Sequence, residues 1–183
     1  LMLPALFGAS VSQLNLLIDT MLATFLIKGS ISWLYYADRL LELPLALIGI
    51  ALATVILPSL SADSAEGDMA AFSSKLDWGL RWVAILGVPA SVALLVLAEP
   101  LITTIFYRGA MTALDVSMAA LALQAYAAGL LGHMCVKILA PGFFARLDMK
   151  SPVEIGIVAL VSNMILNALL IVWLGHILSL IHI

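Results

Sequence analysis

Three long stretches without a charged side chain constrain this sequence more than any other feature. Residues 43–62, 116–136 and 155–175 contain no Asp, Glu, Lys or Arg. Each stretch reaches the length of about 20 apolar residues that a helix needs to cross the hydrocarbon core of a bilayer. Of the 183 residues, 64% are hydrophobic and only 10% are charged, so a water-soluble fold could not bury the apolar surface. The sequence therefore predicts an all-α, polytopic transmembrane helix bundle.

Five spanning helices are expected. Their predicted ranges are about residues 4–27, 32–60, 78–98, 112–140 and 152–174. Pro44 and Gly49 lie inside the second span, and a proline there removes one backbone hydrogen bond. We therefore expect a kink in that span.

The connections are predicted from polar runs and from prolines. The run 61–74 is the only long polar stretch and indicates a loop. Glu99-Pro100 predicts the start of a short interfacial segment over 101–107, and Pro141-Gly142 predicts the end of the fourth span. The aromatic and cationic residues of 143–150 are typical of a segment at the level of the lipid headgroups.

Cationic residues between the spans indicate the orientation. The connections after the second and fourth spans carry Lys75, Arg81, Arg146 and Lys150, and the opposite connections carry Lys28 and Arg108. Because cytoplasmic loops contain the excess of Lys and Arg, we expect the first set to be cytoplasmic.

The C-terminal residues 178–183 are expected to be a non-native tail. They follow a predicted helix end at Gly175-His176 and resemble the translated transposon end used in sequencing libraries. They are left out of the fold prediction, and His182 is not considered as a ligand. Residues 1–177 contain no Ser/Gly linker and are predicted to form one bundle.

Composition and motifs argue against several classes of function. The net charge is -3 and no basic tract is present, so we expect no nucleic-acid partner. The sequence has no P-loop, G-x-S-x-G, G-x-G-x-x-G or H-E-x-x-H motif, so we expect no enzyme and no cofactor. Cys135 is the single cysteine and His133 has no partner at ligand spacing, so we expect no metal site.

Ionisable groups within the predicted spans are the candidate functional residues. Each costs about 2.5 to 3.5 kcal/mol at the centre of a membrane helix, so it should face protein or a water-filled cavity. Asp38 and Glu42 lie four residues apart on one face, and Arg39 and Glu42 lie at pairing distance. Three roles are open for Arg39: it offers a planar fork to a phosphate in a cavity, it belongs to an internal ion pair that fixes helix packing, or it is part of a charged cluster at the outer headgroup level.

Two further charged residues have alternative interpretations. Asp19, late in the first span, either faces Asp38 across the bundle or reaches toward the outer interface. Lys137 lies near the inner end of the fourth span, and its long stem favours an interpretation in which the ammonium reaches the headgroups.

Several motifs together resemble the MurJ/MviN family of lipid II flippases. They are 12–20 (SQLNLLIDT), 30–44 (SISWLYYADRLLELP), 49–61 (GIALATVILPSLS) and 137–153 (KILAPGFFARLDMKSPV). The resemblance covers residues 3–175 and implies the seventh to eleventh of fourteen helices, as most of the second lobe of a two-lobed exporter fold.

The resemblance also implies a function and a site. The implied substrate is lipid II, an undecaprenyl-pyrophosphate-linked disaccharide peptide. The implied activity is the flipping of lipid II from the cytoplasmic to the periplasmic leaflet of the bacterial inner membrane by alternating access. The family's cavity arginine falls on Arg39, with Asp38 and Glu42 beside it and Asp19 as a further candidate. The expected partners are lipid II, membrane lipids and a first lobe that carries further cationic residues, so this segment should flip nothing alone.

Two rival functions remain open. One is another exporter of the same superfamily, either a drug/cation antiporter or a polysaccharide-lipid carrier. The other is a membrane scaffold that transports nothing, for which substitution of Arg39 would change stability and leave transport intact.

Overall fold

The computed structural model describes residues 29–180 together with Gln13, Leu17 and Met21, and it describes side chains as far as residue 166. The helices are α1 (Ser30–Pro44), α2 (Ala51–Glu66), α3 (Met69–Phe106), α4 (Ala113–Ala145) and α5 (Lys150–Leu180), and a π-helical segment, Leu45–Ile50, joins α1 to α2. The described residues contain no strand, which agrees with the predicted all-α class. The helices α1 to α4 belong to one compact unit, and α5 belongs to a second and is described by itself.

Three continuous helices of the described part are long and apolar enough to cross a membrane: Ser30–Glu66, Met69–Phe106 and Ala113–Ala145. They contain the predicted second, third and fourth spans, and α5 contains the predicted fifth span. The predicted first span, 4–27, lies outside the described residues except at Gln13, Leu17 and Met21, which are helical. A count of five spanning helices therefore stays a prediction.

The helix α4 is the centre of the first unit, because it packs against α1, the π-helical segment, α2 and α3. Its buried side chains recur every three or four residues, the spacing of one helix face. They include Val116, Ala119, Leu123, Ala127, Leu130, Met134 and Ile138. Many large apolar side chains on the other faces are exposed, Val96 by 71% and Leu47 by 69%, as expected when the surrounding solvent is lipid.

The distortion predicted at Pro44 and Gly49 takes the form of the π-helical segment Leu45–Ile50. Proline lacks the N–H that would continue the α-helical hydrogen bonds, and its ring crowds the carbonyl of the preceding turn. A single π-helical turn absorbs this disturbance without ending the helix, and such turns are frequent at functional sites.

The prediction of a loop over 61–74 is wrong. The helix α2 continues to Glu66, the connection is only Gly67-Asp68, and α3 begins at Met69. Gly67 ends α2 in the left-handed region with φ 77°, and the Asp68 carboxylate accepts the backbone N–H of Ala71 to cap α3. Most polar residues of this run therefore lie on the surface or at the caps of two helices that extend beyond their apolar parts, and Asp63 is buried.

Two further boundaries were also predicted wrongly, both at prolines. The segment 101–107 is not separate, because α3 passes through Pro100 and ends at Phe106. Pro141 and Gly142 are buried inside α4, which continues to Ala145. In both cases the helix lacks one backbone hydrogen bond and keeps its tertiary packing, which long membrane helices tolerate.

The start of α5 agrees with the sequence to within two residues, whereas the turn before it begins five residues later than predicted. Leu147 takes a left-handed conformation with φ 57°, and Asp148 Oδ1 accepts the backbone N–H groups of Lys150 and Ser151. This side chain caps α5, which begins at Lys150. The helix extends past the predicted end at residue 174 to Leu180, and therefore into the residues assigned to the tail.

Candidate functional site

The charged cluster of α1 lies on faces of the helix that its neighbours leave uncovered. Ala37 and Leu41 are buried one turn apart, on the side of α1 that belongs to the core. Asp38, Arg39 and Glu42 are exposed. The helical spacing of the apolar residues thus directs the three charged side chains away from the core, where a ligand or water can reach them.

Arg39 is held by two neighbours on its own helix. Its Nη1 donates a 2.8 Å hydrogen bond to Oε2 of Glu42, which forms the pair expected from their spacing. Its guanidinium carbon lies 4.8 Å from the centre of the Tyr35 ring. The Arg39 and Glu42 side chains are 51% and 52% exposed, so the pair stabilises the helix weakly and mainly orients the guanidinium.

Asp38 lies next to Arg39 in sequence but has a different set of neighbours. Its carboxylate interacts electrostatically with Glu42 and Arg39 on α1 and with His133 on α4. The Nδ1 atom of His133 lies 3.0 Å from the carbonyl oxygen of Gly129, so the ring is tied to its own helix. His133 on α4 is therefore within electrostatic range of the α1 cluster.

Lys137 follows His133 by one helical turn and is also exposed. Its stem covers Gly49 of the π-helical segment: a Cβ atom at Gly49 would lie 3.5 Å from Lys137 Cγ and 3.6 Å from Lys137 Cβ. The aliphatic part of Lys137 is thus packed on protein at a position that the sequence assigned to the headgroup level. Asp19, the remaining predicted site residue, lies outside the described residues.

Sequence reasoning missed one long-range contact near this site. The indole N–H of Trp33 on α1 donates a 2.7 Å hydrogen bond to Oδ1 of Asp115 on α4. Asp115 also forms a capping box with Thr112 at the start of α4. The spacing of Thr112 and Asp115, three residues apart before an apolar run, is the signal that could have identified the cap.

Within the described residues, no group of three or more His, Cys, Asp or Glu side chains is arranged to hold a metal ion. The site contains one guanidinium, one ammonium, one imidazole and two carboxylates, from Arg39, Lys137, His133, Asp38 and Glu42. Such a set of groups recognises ligands by charge and hydrogen bonding. It includes no nucleophile with an adjacent base for covalent catalysis.

Comparison with known proteins gives a consistent match. The protein-family model described as "Lipid II flippase MurJ" matches residues 1–179. The "Probable lipid II flippase MurJ" of Vibrio cholerae is 53% identical over 177 residues, covering 97% of this chain and 34% of that protein. The protein of the same description from Haemophilus influenzae is 55% identical, covering 93% of this chain and 35% of that protein.

A solved structure agrees with the sequence relatives. The "Lipid II flippase MurJ, inward closed conformation" superposes with a TM-score of 0.80 at 30% identity, covering 90% of this chain and 34% of that one. The "Lipid II flippase MurJ" of Burkholderia cenocepacia is 46% identical and likewise shares 34% of its length. The chain thus spans about a third of the length of the curated relatives that it matches.

Proposed function

The chain belongs to the lipid II flippase MurJ family, and we propose that it forms part of a transporter that flips lipid II from the cytoplasmic to the periplasmic leaflet. The observation that carries this proposal is the family match over residues 1–179, with relatives that are 53% and 55% identical. The full-length protein would act by alternating access, with no covalent chemistry, as a multi-pass protein of the bacterial inner membrane.

We further propose that residues 1–177 are a partial C-terminal lobe with five spanning helices, and that 178–183 are a non-native tail. The lobe would border a cavity whose other wall is the first lobe of the same chain. The connection at Gly67-Asp68 and the turn after α4 would then face the cytoplasm, because the adjoining residues contain more Lys and Arg than the opposite connections.

In this proposal Arg39 contacts the pyrophosphate or the sugar phosphate of lipid II. A guanidinium presents several N–H donors in one plane and can bind two phosphate oxygens at once. The contact with the Tyr35 ring supports the proposal, because a pre-oriented guanidinium loses less conformational entropy when it binds. Asp38 and Glu42 would orient the guanidinium, and Asp19 would be a further acidic residue of the polar wall.

A head group of this kind requires a polar path, because phosphates and sugars lose their hydration in hydrocarbon. The polyprenyl tail has the opposite requirement and stays in contact with lipid. The helix α1 presents Arg39 on an exposed face and can therefore contribute to a polar path for the head group. The same helix stays packed in the bundle through the buried Leu41.

The test is a growth assay in which the full-length gene replaces a native flippase that is depleted. Wild type, Arg39→Ala and Arg39→Lys are compared at equal abundance in the membrane, with Arg81→Ala as a matched control. Arg81 also pairs with an acid on its own helix, at 2.6 Å from Asp77, but its side chain is 74% exposed on α3 and lies outside the cluster.

We expect wild type and Arg81→Ala to sustain growth and Arg39→Ala to fail. Arg39→Lys should be intermediate, because an ammonium keeps the charge but not the planar fork. Failure of the wild-type gene would contradict the proposed function. Growth with Arg39→Ala equal to that of wild type would contradict the role of Arg39 and leave the function in place.

A further inference from the structure

We propose that Lys137 of α4 is a second cationic contact for the diphosphate of the lipid-linked substrate, positioned by the packing of its stem on the π-helical segment. The inference rests on the proposed function and extends it to a residue on a different helix from Arg39. Three observations carry it: the packing of the stem, the absence of an acidic partner within the described residues, and the polar neighbours on α1 and α4.

The first observation is the packing of the Lys137 stem. Gly49 is buried, and the Cβ and Cγ atoms of Lys137 lie within 3.6 Å of the position that a Cβ of Gly49 would occupy. This packing holds the start of the side chain against the π-helical segment and limits the region that the ammonium can sample.

The second observation is that the ammonium has no acidic partner within the described part of the chain. The four salt bridges there involve the cations Arg39, Lys75, Arg81 and Lys150. A cation inside a spanning helix that has no such partner must be hydrated or must meet an anion from outside the described residues. A diphosphate is an anion of suitable charge, and lysine binds phosphate as a point charge.

The third observation is the polar neighbourhood of Lys137. His133 precedes Lys137 by one turn on α4, is exposed, and interacts electrostatically with Asp38, the neighbour of Arg39. Lys137 thus follows on α4 a residue that is within electrostatic range of the α1 cluster. Cations on two neighbouring helices can attract one anionic ligand and guide it from one to the other.

The experiment measures binding to the purified full-length protein in detergent with two probes, undecaprenyl pyrophosphate and inorganic pyrophosphate. The variants are Lys137→Met, which keeps Cβ and Cγ on Gly49 and removes the charge, and Lys137→Arg, which keeps both. Lys150→Met is the control, because Lys150 is 85% exposed at the start of α5 and pairs with Glu154. Arg39→Ala is included as the reference for the proposed function. Thermal unfolding without ligand checks that each variant is folded.

We expect Lys137→Met to weaken binding of undecaprenyl pyrophosphate about tenfold, while Lys137→Arg and Lys150→Met stay within about twofold of wild type. Inorganic pyrophosphate should bind more weakly than undecaprenyl pyrophosphate. Its affinity should also fall in Lys137→Met, because the diphosphate is the group that both probes share. If Lys137→Met unfolds at a lower temperature, Lys137→Gln replaces it and should give the same loss.

Three other outcomes overturn the inference. Wild-type affinity in Lys137→Met together with weakened binding in Arg39→Ala would contradict the role of Lys137 and leave the proposed function intact. An equal loss in Lys137→Met and Lys137→Arg would mean that the positive charge at this position does not bind the diphosphate. No binding of either probe by the wild-type protein would contradict both the inference and the proposed recognition of a pyrophosphate.

Discussion

The indole N–H of Trp33 and the carboxylate of Asp115 are joined by a 2.7 Å hydrogen bond, although the residues lie 82 positions apart in sequence. Asp115 Oδ1 accepts this bond, and its Oδ2 accepts the backbone N–H and the hydroxyl of Thr112 at 2.8 and 2.6 Å. One carboxylate therefore caps α4 and attaches the start of α1 to it. This contact fixes the near ends of the two helices that also hold the candidate site.

Removal of the Asp115 side chain should destabilise the protein more than removal of either partner. We expect Trp33→Phe and Thr112→Val each to lower the free energy of unfolding by about 1 kcal/mol. Asp115→Ala should cost more than either of these changes, because it loses both functions of the carboxylate. Denaturation of the purified full-length protein in detergent measures these differences. Tyr107→Phe, an exposed change near the same helix ends, is the control, and equal losses in Asp115→Ala and Trp33→Phe would contradict the dual role.

The salt bridge between Lys75 and Asp63 should matter more than its exposed counterpart on the same helix. Asp63 is only 7% exposed, and Lys75 Nζ lies 2.7 Å from its Oδ1. Lys75→Met leaves this carboxylate without a cation, and we expect a loss of about 1 to 3 kcal/mol in the free energy of unfolding. The pair of Arg81 and Asp77 is 74% and 58% exposed, so Arg81→Met should change stability by less than about 0.5 kcal/mol.

A double variant separates the charge effect from the packing of Lys75. If the loss comes from the buried charge, Lys75→Met with Asp63→Asn should recover part of it, because the amide is neutral. The same detergent denaturation assay measures the recovery. A double variant that is less stable than Lys75→Met alone would contradict this account.

The sequence was sufficient for features that depend on neighbouring residues. The apolar stretches located the helices, and the spacing of Arg39 and Glu42 predicted a pair that the structure contains. The prediction of helix boundaries was wrong at Pro100 and Pro141. There the general rule that proline ends a helix competes with the packing of a long apolar segment. Local propensity is a weak guide where tertiary contacts hold both sides of the proline.

The contacts between helices could not be predicted in the same way. The hydrogen bond of Trp33 with Asp115 and the packing of Lys137 on Gly49 depend on how α1 and the π-helical segment lie against α4. The sequence shows which residues are polar but not the rotation of one helix relative to the other. For that reason the sequence does not show that the stem of Lys137 packs on Gly49.

Close approach of three helices at Gly79 gives a test of the packing. A Cβ atom at Gly79 would lie 2.5 Å from Ile56 Cδ1 and 3.0 Å from Ile138 Cγ2, and both isoleucines are buried. Gly79→Ala should therefore lower the thermal unfolding midpoint, with a cost of about 1 to 3 kcal/mol for overpacking. Gly132→Ala on α4 is the control, because a Cβ there meets nothing within 4 Å.

A second substitution tests whether crowding by Ile56 causes the loss of stability in Gly79→Ala. Ile56→Val removes the Cδ1 atom that crowds position 79, so the double variant Gly79→Ala with Ile56→Val should unfold at a higher temperature than Gly79→Ala alone. Ile56→Val by itself should cost about 0.5 to 1.5 kcal/mol, because it leaves a small cavity. If the two losses simply add, the crowding at Ile56 does not explain the effect of the alanine.

Neutralisation of Glu42 tests whether Arg39 binds the diphosphate in competition with the Glu42 carboxylate. In the structure the Glu42 carboxylate lies 2.8 Å from Arg39 Nη1 and occupies a donor that a diphosphate would need. Glu42→Gln keeps the size of the side chain and removes the competing charge, so we expect the full-length protein to bind undecaprenyl pyrophosphate about two- to fivefold more tightly. The increase should shrink as salt is raised, because both side chains are about half exposed. Glu66→Gln, at the exposed end of α2, removes the same charge outside the cluster and should leave the affinity unchanged. Weaker binding in Glu42→Gln would contradict competition and would mean that Glu42 is required to position the guanidinium.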